Sequence, residues 1–181
     1  MMQHAVGIIE IKHIAKAYLI ADQCLKSATV ELHAKTICPG KFLVIVSGEI
    51  SAVKAAVDAG RSVAQGDITD VVILGNIDPA VFCAMMGTAT VKEYGALGII
   101  ETFTAAAAIQ AADCAIKTAK VEIIDIRLAQ GIGGKGIVYI TGSVGAVQMA
   151  IETVSKIIAA EGSLVDAVVI PSPDPKLLSI I

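Results

Sequence analysis

Two hydrophobic periods alternate along this chain, and the alternation runs through twice. Ala5–Ile11 is an Ile- and Val-rich run of strand type. The next segment has apolar residues at Ile14, Ala17, Tyr18, Ala21, Leu25 and Ala28, the spacing of one helical face. Glu31–Ile37 and Phe42–Gly48 read as two strands around a turn. Ile50, Val53, Val57 and Ala64 mark a second amphipathic helix, and Asp70–Leu74 reads as a short buried strand. Pro79 opens a short helix to about Met86, because proline is tolerated in a first helical turn. The predicted unit is β-α-β-β-α-β with a small terminal helix. That is an α+β, ferredoxin-like α/β sandwich with helices over one face of a sheet.

The second half repeats the first. Ala5-Val-Gly-Ile-Ile-Glu10 returns as Ala96-Leu-Gly-Ile-Ile-Glu101, Asp22 as Asp113, Lys26 as Lys117 and Val30-Glu31 as Val121-Glu122, all 91 residues on. Gly48 and Gly142 are 94 apart, and Asp78-Pro79 and Asp174-Pro175 are 96 apart. Two copies of one unit of about 90 residues follow. The second copy reads as strand Ala96–Glu101, helix Phe103–Ala119, strands Val121–Leu128 and Gly136–Gly142, helix Val144–Glu161 and strand Leu164–Ile170. The Gly- and Thr-rich stretch Gly87–Gly95 is the expected boundary, which divides the chain into domains 1–92 and 93–181.

Composition changes the picture in one respect. Hydrophobic residues make up 55% of the chain and aromatics only 3%, with no Trp, so the apolar surface is small and aliphatic. The mean hydropathy of +0.76 is high for a soluble monomer. A membrane span does not account for it, because the most apolar helical stretch, Phe103–Ala115, is interrupted by Gln110 and Asp113 and falls short of the ~20 apolar residues a span needs. No signal peptide is expected at the N-terminus. Burial between subunits is the remaining explanation, so a homo-oligomer is expected. The net charge of −3 offers no basic patch for nucleic acid. Four cysteines with no secretory signal expected argue for a reducing cytosol and against a disulfide framework, and the lack of a CxxC pair argues against a zinc ribbon or a thioredoxin-like site.

The two copies differ most at one bend. In the first copy it is Cys38-Pro39-Gly40-Lys41, with Pro39 and Gly40 suited to the central positions of a type II turn and Cys38 presented at its lip. In the second copy it is the longer Ala129-Gln130-Gly131-Ile132-Gly133-Gly134-Lys135-Gly136. Selection for the fold alone gives no reason for that asymmetry.

The Gly-Ile-Ile-Glu opening, the Asp-x₃-Lys helix and the strand-loop-strand before Gly-x₃-Ala-Val together resemble the bacterial microcompartment (BMC) shell domain, over nearly the whole chain. The tandem arrangement is similar to that of two-domain shell proteins, and Lys35-Thr-Ile-Cys-Pro-Gly-Lys-Phe42 is similar to the loop of PduT-type members. The resemblance implies a homotrimer forming a pseudohexamer, in which Cys loops and Gly-rich loops alternate about the axis. It further implies one [4Fe–4S] cluster per trimer, with Cys38 as each subunit's ligand. Three thiolates would hold three irons and leave the fourth open. By the same resemblance Lys26 and Lys117 are shell-edge contacts to other shell proteins, and Pro39, Gly40, Gly131, Gly133 and Gly134 belong to the pore loops. An enclosed or cytosolic redox enzyme is a further implied partner. The implied location is the microcompartment shell, in the cytoplasm. The chain departs from many relatives in having Ile170-Pro-Ser-Pro-Asp174 where they carry an Arg-bearing segment. That puts one edge contact in question and suggests a tile that mixes with others.

The remaining candidates have plainer readings. Cys24, Cys83 and Cys114 lie on predicted helices and read as small core residues. His4, His13 and His33 lack metal-like spacing and read as solvated. Glu10 and Glu101 read as structural hydrogen-bonding partners rather than a catalytic pair. No catalytic constellation is visible, so a structural and electron-transfer protein, not an enzyme, is expected. One alternative keeps the shell tile but makes the centre a metabolite pore without a cluster. Another is a cytosolic nucleotide-binding module or enzyme using Gly131–Gly136. That segment fails the GxxxxGK[ST] spacing and lacks an acid–base partner.

Overall fold

A computed structural model describes residues 5–38, 40–91 and 93–181. The chain divides into two compact units, one ending at Ile77 and the other spanning Asp78–Ile181.

The first unit contains β1 (Ala5–Ile11), α1 (Ile14–Ser27), β2 (Glu31–Cys38), β3 (Lys41–Gly48), α2 (Ile50–Ala64) and β4 (Ile68–Leu74). Its sheet has the order β2-β3-β1-β4, with every neighbouring pair antiparallel. The second unit begins with α3 (Pro79–Met85). It continues with β5 (Ala96–Thr102), α4 (Ala105–Thr118), β6 (Val121–Leu128), β7 (Gly136–Gly142), α5 (Val144–Ala160), β8 (Leu164–Ile170) and α6 (Pro175–Leu178). Its sheet order, β6-β7-β5-β8, repeats that of the first. Each unit is therefore an α+β layer pair with the β-α-β-β-α-β order read from the hydrophobic pattern. The expected 92/93 boundary lies in the linker after α3. The compact units divide earlier, because α3 packs on α4 and β6.

Ala5, Ile9, Ile11, Phe42, Val44 and Val46 of the first sheet meet Ala17, Ile20, Ala21, Cys24, Val53, Ala56 and Val57 of α1 and α2. The alternate residues Val6, Ile8, Glu10, Leu43 and Ile45 are buried as well. That is why β1 and β3 read as unbroken apolar runs rather than as alternating ones.

Two expectations about burial need correction. The inward face of α1 is Ala17, Ile20, Ala21 and Cys24, whereas Ile14, Tyr18 and Leu25 are exposed. The cause is the close approach of α2: a Cβ on Gly60 would stand 2.8 Å from Cys24 Sγ and 3.1 Å from Ile20 Cγ2. Only a thin helical face fits there, and Tyr18 is turned outward. Nor is β4 a buried strand. It lies at the sheet edge and is mostly half-buried, with Val72 its one buried residue.

Four helices start on side-chain caps. Thr104 accepts from Ala107 N and Ser143 from Ala146 N. Asp78 accepts from Ala80 N and Asp174 from Lys176 N, each just ahead of a proline at the first helical position.

Candidate functional site

The candidate site grows from the β2–β3 hairpin. Cys38 is the last residue of β2 and stands in register with Lys41, the first residue of β3. The thiol is half-buried and forms no disulfide. Gly40 has φ +80°, the left-handed region that the turn reading required of it; Pro39 lies outside the described residues. The hairpin is tied down at its base, where Lys41 Nζ donates to Glu10 Oε1 across 2.8 Å. The Glu10 side chain is fully buried and that of Lys41 is 22% exposed. The strand register explains the reach: Glu10 lies opposite Leu43, two residues along the same face from Lys41.

The second copy builds the same anchor. Lys135 Nζ donates to Glu101 Oε1 across 2.9 Å, but both side chains are partly exposed. The two ion pairs align Lys41 with Lys135 and show where the extra residues of the second copy sit. One of the three is Ile124, at a register shift of β6 between Ile123 and Asp125. The other two lengthen the bend, so that 129–134 stands in place of 37–40. Ala129, Gly131, Gly133 and Gly134 all have positive φ, and the space around Gly131 and Gly133 is open. This loop runs into β7 and not into a helix. It therefore has no helix N-terminus to receive a phosphate, and the nucleotide-binding reading loses its structural basis.

Lys26 and Lys117 sit on the last turns of α1 and α4, away from the bends, each 2.6 Å from an aspartate four residues earlier. The pairs are not alike. The Asp22 side chain is 51% exposed, while that of Asp113 is only 7% exposed. Asp113 Oδ1 also accepts from the backbone N–H of Asp78, at 2.9 Å, where α3 begins.

The other cysteines scatter over the helices. Cys24 is in the core, where burial pushes its thiol pKa up; Cys114 is half-buried, and Cys83, expected as a core residue, is exposed. His13 is exposed and 3.1 Å from Asp67. His33 is half-buried rather than solvated, because it lies on β2 opposite Ile45. His4 lies outside the described residues. Among the described residues, no three His, Cys, Asp or Glu side chains gather as a metal site would require. Cys38 is thus the one cysteine among the described residues of the bend, and a single thiolate does not hold an iron–sulfur cluster within one chain. The anchoring lysines were the residues least visible from sequence. Their signal was the Glu and Lys recurring together in both copies.

Comparison with known proteins agrees with this architecture. The BMC domain matches residues 5–77 and again 96–173. The chain is 41% identical to the bacterial microcompartment shell protein PduT of Citrobacter freundii, over 95% of this chain and 94% of that protein. It is 44% identical over 66 residues to the shell protein PduA of Salmonella typhimurium, 36% of this chain and 70% of that protein. Among solved structures, a microcompartment protein from Desulfitobacterium hafniense superposes with a TM-score of 0.87 at 40% identity, covering 98% of this chain and 99% of that one. A fused, permuted hexameric shell protein of the RMM microcompartment superposes with a TM-score of 0.68 at 27% identity, covering 88% of this chain and 83% of that one. No described helix is long and apolar enough to cross a membrane. With both of its repeats matched and its sheets in the same order, the chain belongs to the bacterial microcompartment shell proteins, as a member with two BMC domains.

Proposed function

We propose that this shell tile is a homotrimer, a pseudohexamer of six BMC domains, that holds one [4Fe–4S] cluster through Cys38 of its three subunits. The observation that carries the reading is the pinned hairpin. A half-buried thiol sits at the base of a short turn whose first strand residue, Lys41, is held by buried Glu10. The equivalent bend of the second copy offers Gln130 and glycines instead. A threefold axis would repeat Cys38 three times. When bound, a [4Fe–4S] cluster supplies a one-electron couple. The chain's own part is to present the thiolate on a rigid hairpin and to keep the nearest lysine engaged with a carboxylate. The role is structural and electron-transferring, across the shell or as a redox sensor, rather than enzymatic, with a redox enzyme as partner. Lys26 and Lys117 are the proposed contacts to neighbouring tiles, other shell proteins included.

The test is anaerobic reconstitution with iron and sulfide, followed by visible and electron paramagnetic resonance spectra beside Cys38→Ser. A brown, paramagnetic wild type and a colourless variant are expected. A colourless wild type, or a variant that keeps the signal, defeats the cluster. Electron microscopy of extended sheets, expected to vanish with Lys26→Ala or Lys117→Ala, checks the edge contacts.

A second reading draws on the open, positive-φ loop at Gly131, Gly133 and Gly134. There the loops, with Pro39 and Gly40, line a metabolite pore and Cys38 binds no cluster. A colourless protein that still tiles would leave this reading standing.

A further inference from the structure

Three turns of the first unit come together around the Cys38 hairpin. The Lys12 backbone N–H donates to the Asp67 carbonyl oxygen across 3.1 Å, joining the turn before α1 to the turn before β4. A Cβ on Gly40 would stand 3.9 Å from the Lys12 carbonyl oxygen, so the bend runs beside the same residue. The carboxylates here are engaged. Asp67 is met by Lys16 at 2.7 Å and by His13 at 3.1 Å, and Glu10 holds Lys41. Two lysines are left over. Lys12 and Lys35 are exposed, and neither forms an ion pair among the described residues. Lys35 lies on β2, three residues before Cys38 and opposite Leu43.

The second copy has no such charge at the matching places. Lys12 corresponds to Phe103, 91 residues on. Lys35 corresponds to Arg127, since Lys35 lies opposite Leu43 as Arg127 lies opposite Ile137. Arg127 is compensated by Asp125 at 3.2 Å and lies over the Tyr139 ring. Lys135, the counterpart of Lys41, is met by Glu101. The copy with the cysteine is therefore the copy with uncompensated lysines beside its bend. Exposed side chains do no packing, and the chain's net charge of −3 already favours solubility. Neither need accounts for the pair.

We infer that Lys12 and Lys35 form the docking surface for an acidic electron-carrier protein, one with carboxylates around its own redox group. The inference rests on the cluster reading above and names its partner. A threefold axis repeats both lysines beside each Cys38 bend. β3 separates β1 from β2, so the two lysines start roughly 10 Å apart across the sheet. That spacing fits carboxylates spread over a protein face better than one small anion. Complementary charge steers an encounter and fixes its orientation more than it tightens the complex, which suits a carrier that must arrive, exchange and leave. One electron passes between carrier and cluster. The donor is oxidised as the acceptor is reduced, with no bond made or broken.

The test uses the full-length protein after anaerobic reconstitution, with flavodoxin as the acidic carrier and cytochrome c as a basic one. Fluorescence anisotropy of the labelled carrier follows association. Wild type is expected to bind flavodoxin and not cytochrome c, and to release it as salt rises from about 20 to 300 mM, where screening cuts off charges this far apart. Lys12→Gln with Lys35→Gln is expected to slow association about tenfold or more. Lys54→Gln is the control: it removes an exposed lysine near the start of α2, at the end of the unit away from the bend. It is expected to slow association less than about twofold. Light scattering and the visible spectrum check assembly and cluster content. Binding of cytochrome c as well as flavodoxin, binding that salt does not weaken, or equal losses from Lys54→Gln and the double variant overturns the inference. Should the double variant not assemble, the wild type decides alone, by its choice of carrier and its salt dependence. A brown protein that does not bind flavodoxin keeps the cluster and loses this inference. A colourless protein that binds flavodoxin through Lys12 and Lys35 loses the cluster and keeps the docking surface.

Discussion

Lys41 Nζ lies 2.8 Å from Glu10 Oε1, joining the start of β3 to β1, the other central strand of its sheet, at the Cys38 hairpin. The carboxylate is fully buried, so losing this lysine takes a charged partner from a desolvated group. Lys41→Met is expected to destabilise the first unit by about 3 kcal/mol. Glu10→Gln with Lys41→Met is expected to cost less than the sum of the single changes. Lys135→Met, which removes a partly exposed pair, is expected to cost about 1 kcal/mol or less. Urea denaturation of the four variants checks the order; equal losses at Lys41 and Lys135 would contradict it.

Two glycines near the second bend are expected to respond differently. A Cβ on Gly136 would press against Ala108 Cβ and come within 2.8 Å of both Thr102 Oγ1 and the Thr104 carbonyl oxygen. Backbone cannot yield there, and Gly136→Ala is expected to cost about 2–3 kcal/mol. Gly131, at φ +73°, faces open space, so Gly131→Ala is expected to cost only the left-handed backbone term, about 1 kcal/mol. Thermal melts of the two variants separate these outcomes.

Asp67 gives a pH signature. A hydrogen bond from Lys16, at 2.7 Å, holds its carboxyl below the usual range, helped by the charges of Lys16 and His13. A depressed pKa means that the folded state holds the proton less tightly than the unfolded chain does. The stabilisation is therefore complete above the unfolded value of about 3.9 and fades as pH falls further, through the folded value. Over the range from about pH 5 to 3, the difference in denaturation midpoint between wild type and Asp67→Asn should shrink below about pH 4. A gap that widens on acidification would reverse the assignment.

Asp113 serves both Lys117 and the start of α3. Asp113→Ala is expected to cost about 2 kcal/mol, the range for a hydrogen bond to a charged group, and to speed hydrogen exchange at the Asp78 amide. Asp22→Ala, which removes only an exposed pair with Lys26, is expected to cost about 0.5 kcal/mol or less.

Much of this was legible in the residues. Strands β1, β6, β7 and β8 have the bounds that their hydrophobic runs predicted, and Pro79 marks the start of α3 as expected. The face of α1 was misread because size suggested Tyr18 and Leu25, whereas contact with Gly60 admits only Ala17, Ile20, Ala21 and Cys24. The three extra residues of the second copy looked like one longer loop. Pairing divides them between a bulge at Ile124 and the bend.

The sequence by itself determined the repeat, the element order, the family resemblance and the asymmetry between Cys38 and the Gly-rich bend. All of these are carried by local pattern and by comparing the chain with itself. Only the tertiary structure decided that Lys41 belongs to Glu10, that Asp113 is sheltered by α3, and that Asp22 is exposed. Those relationships depend on which strands become neighbours and which helix a short segment reaches. Residues 31 and 35 positions apart meet across the fold in the Glu10–Lys41 and Asp78–Asp113 contacts, and no periodicity along the chain encodes such a meeting.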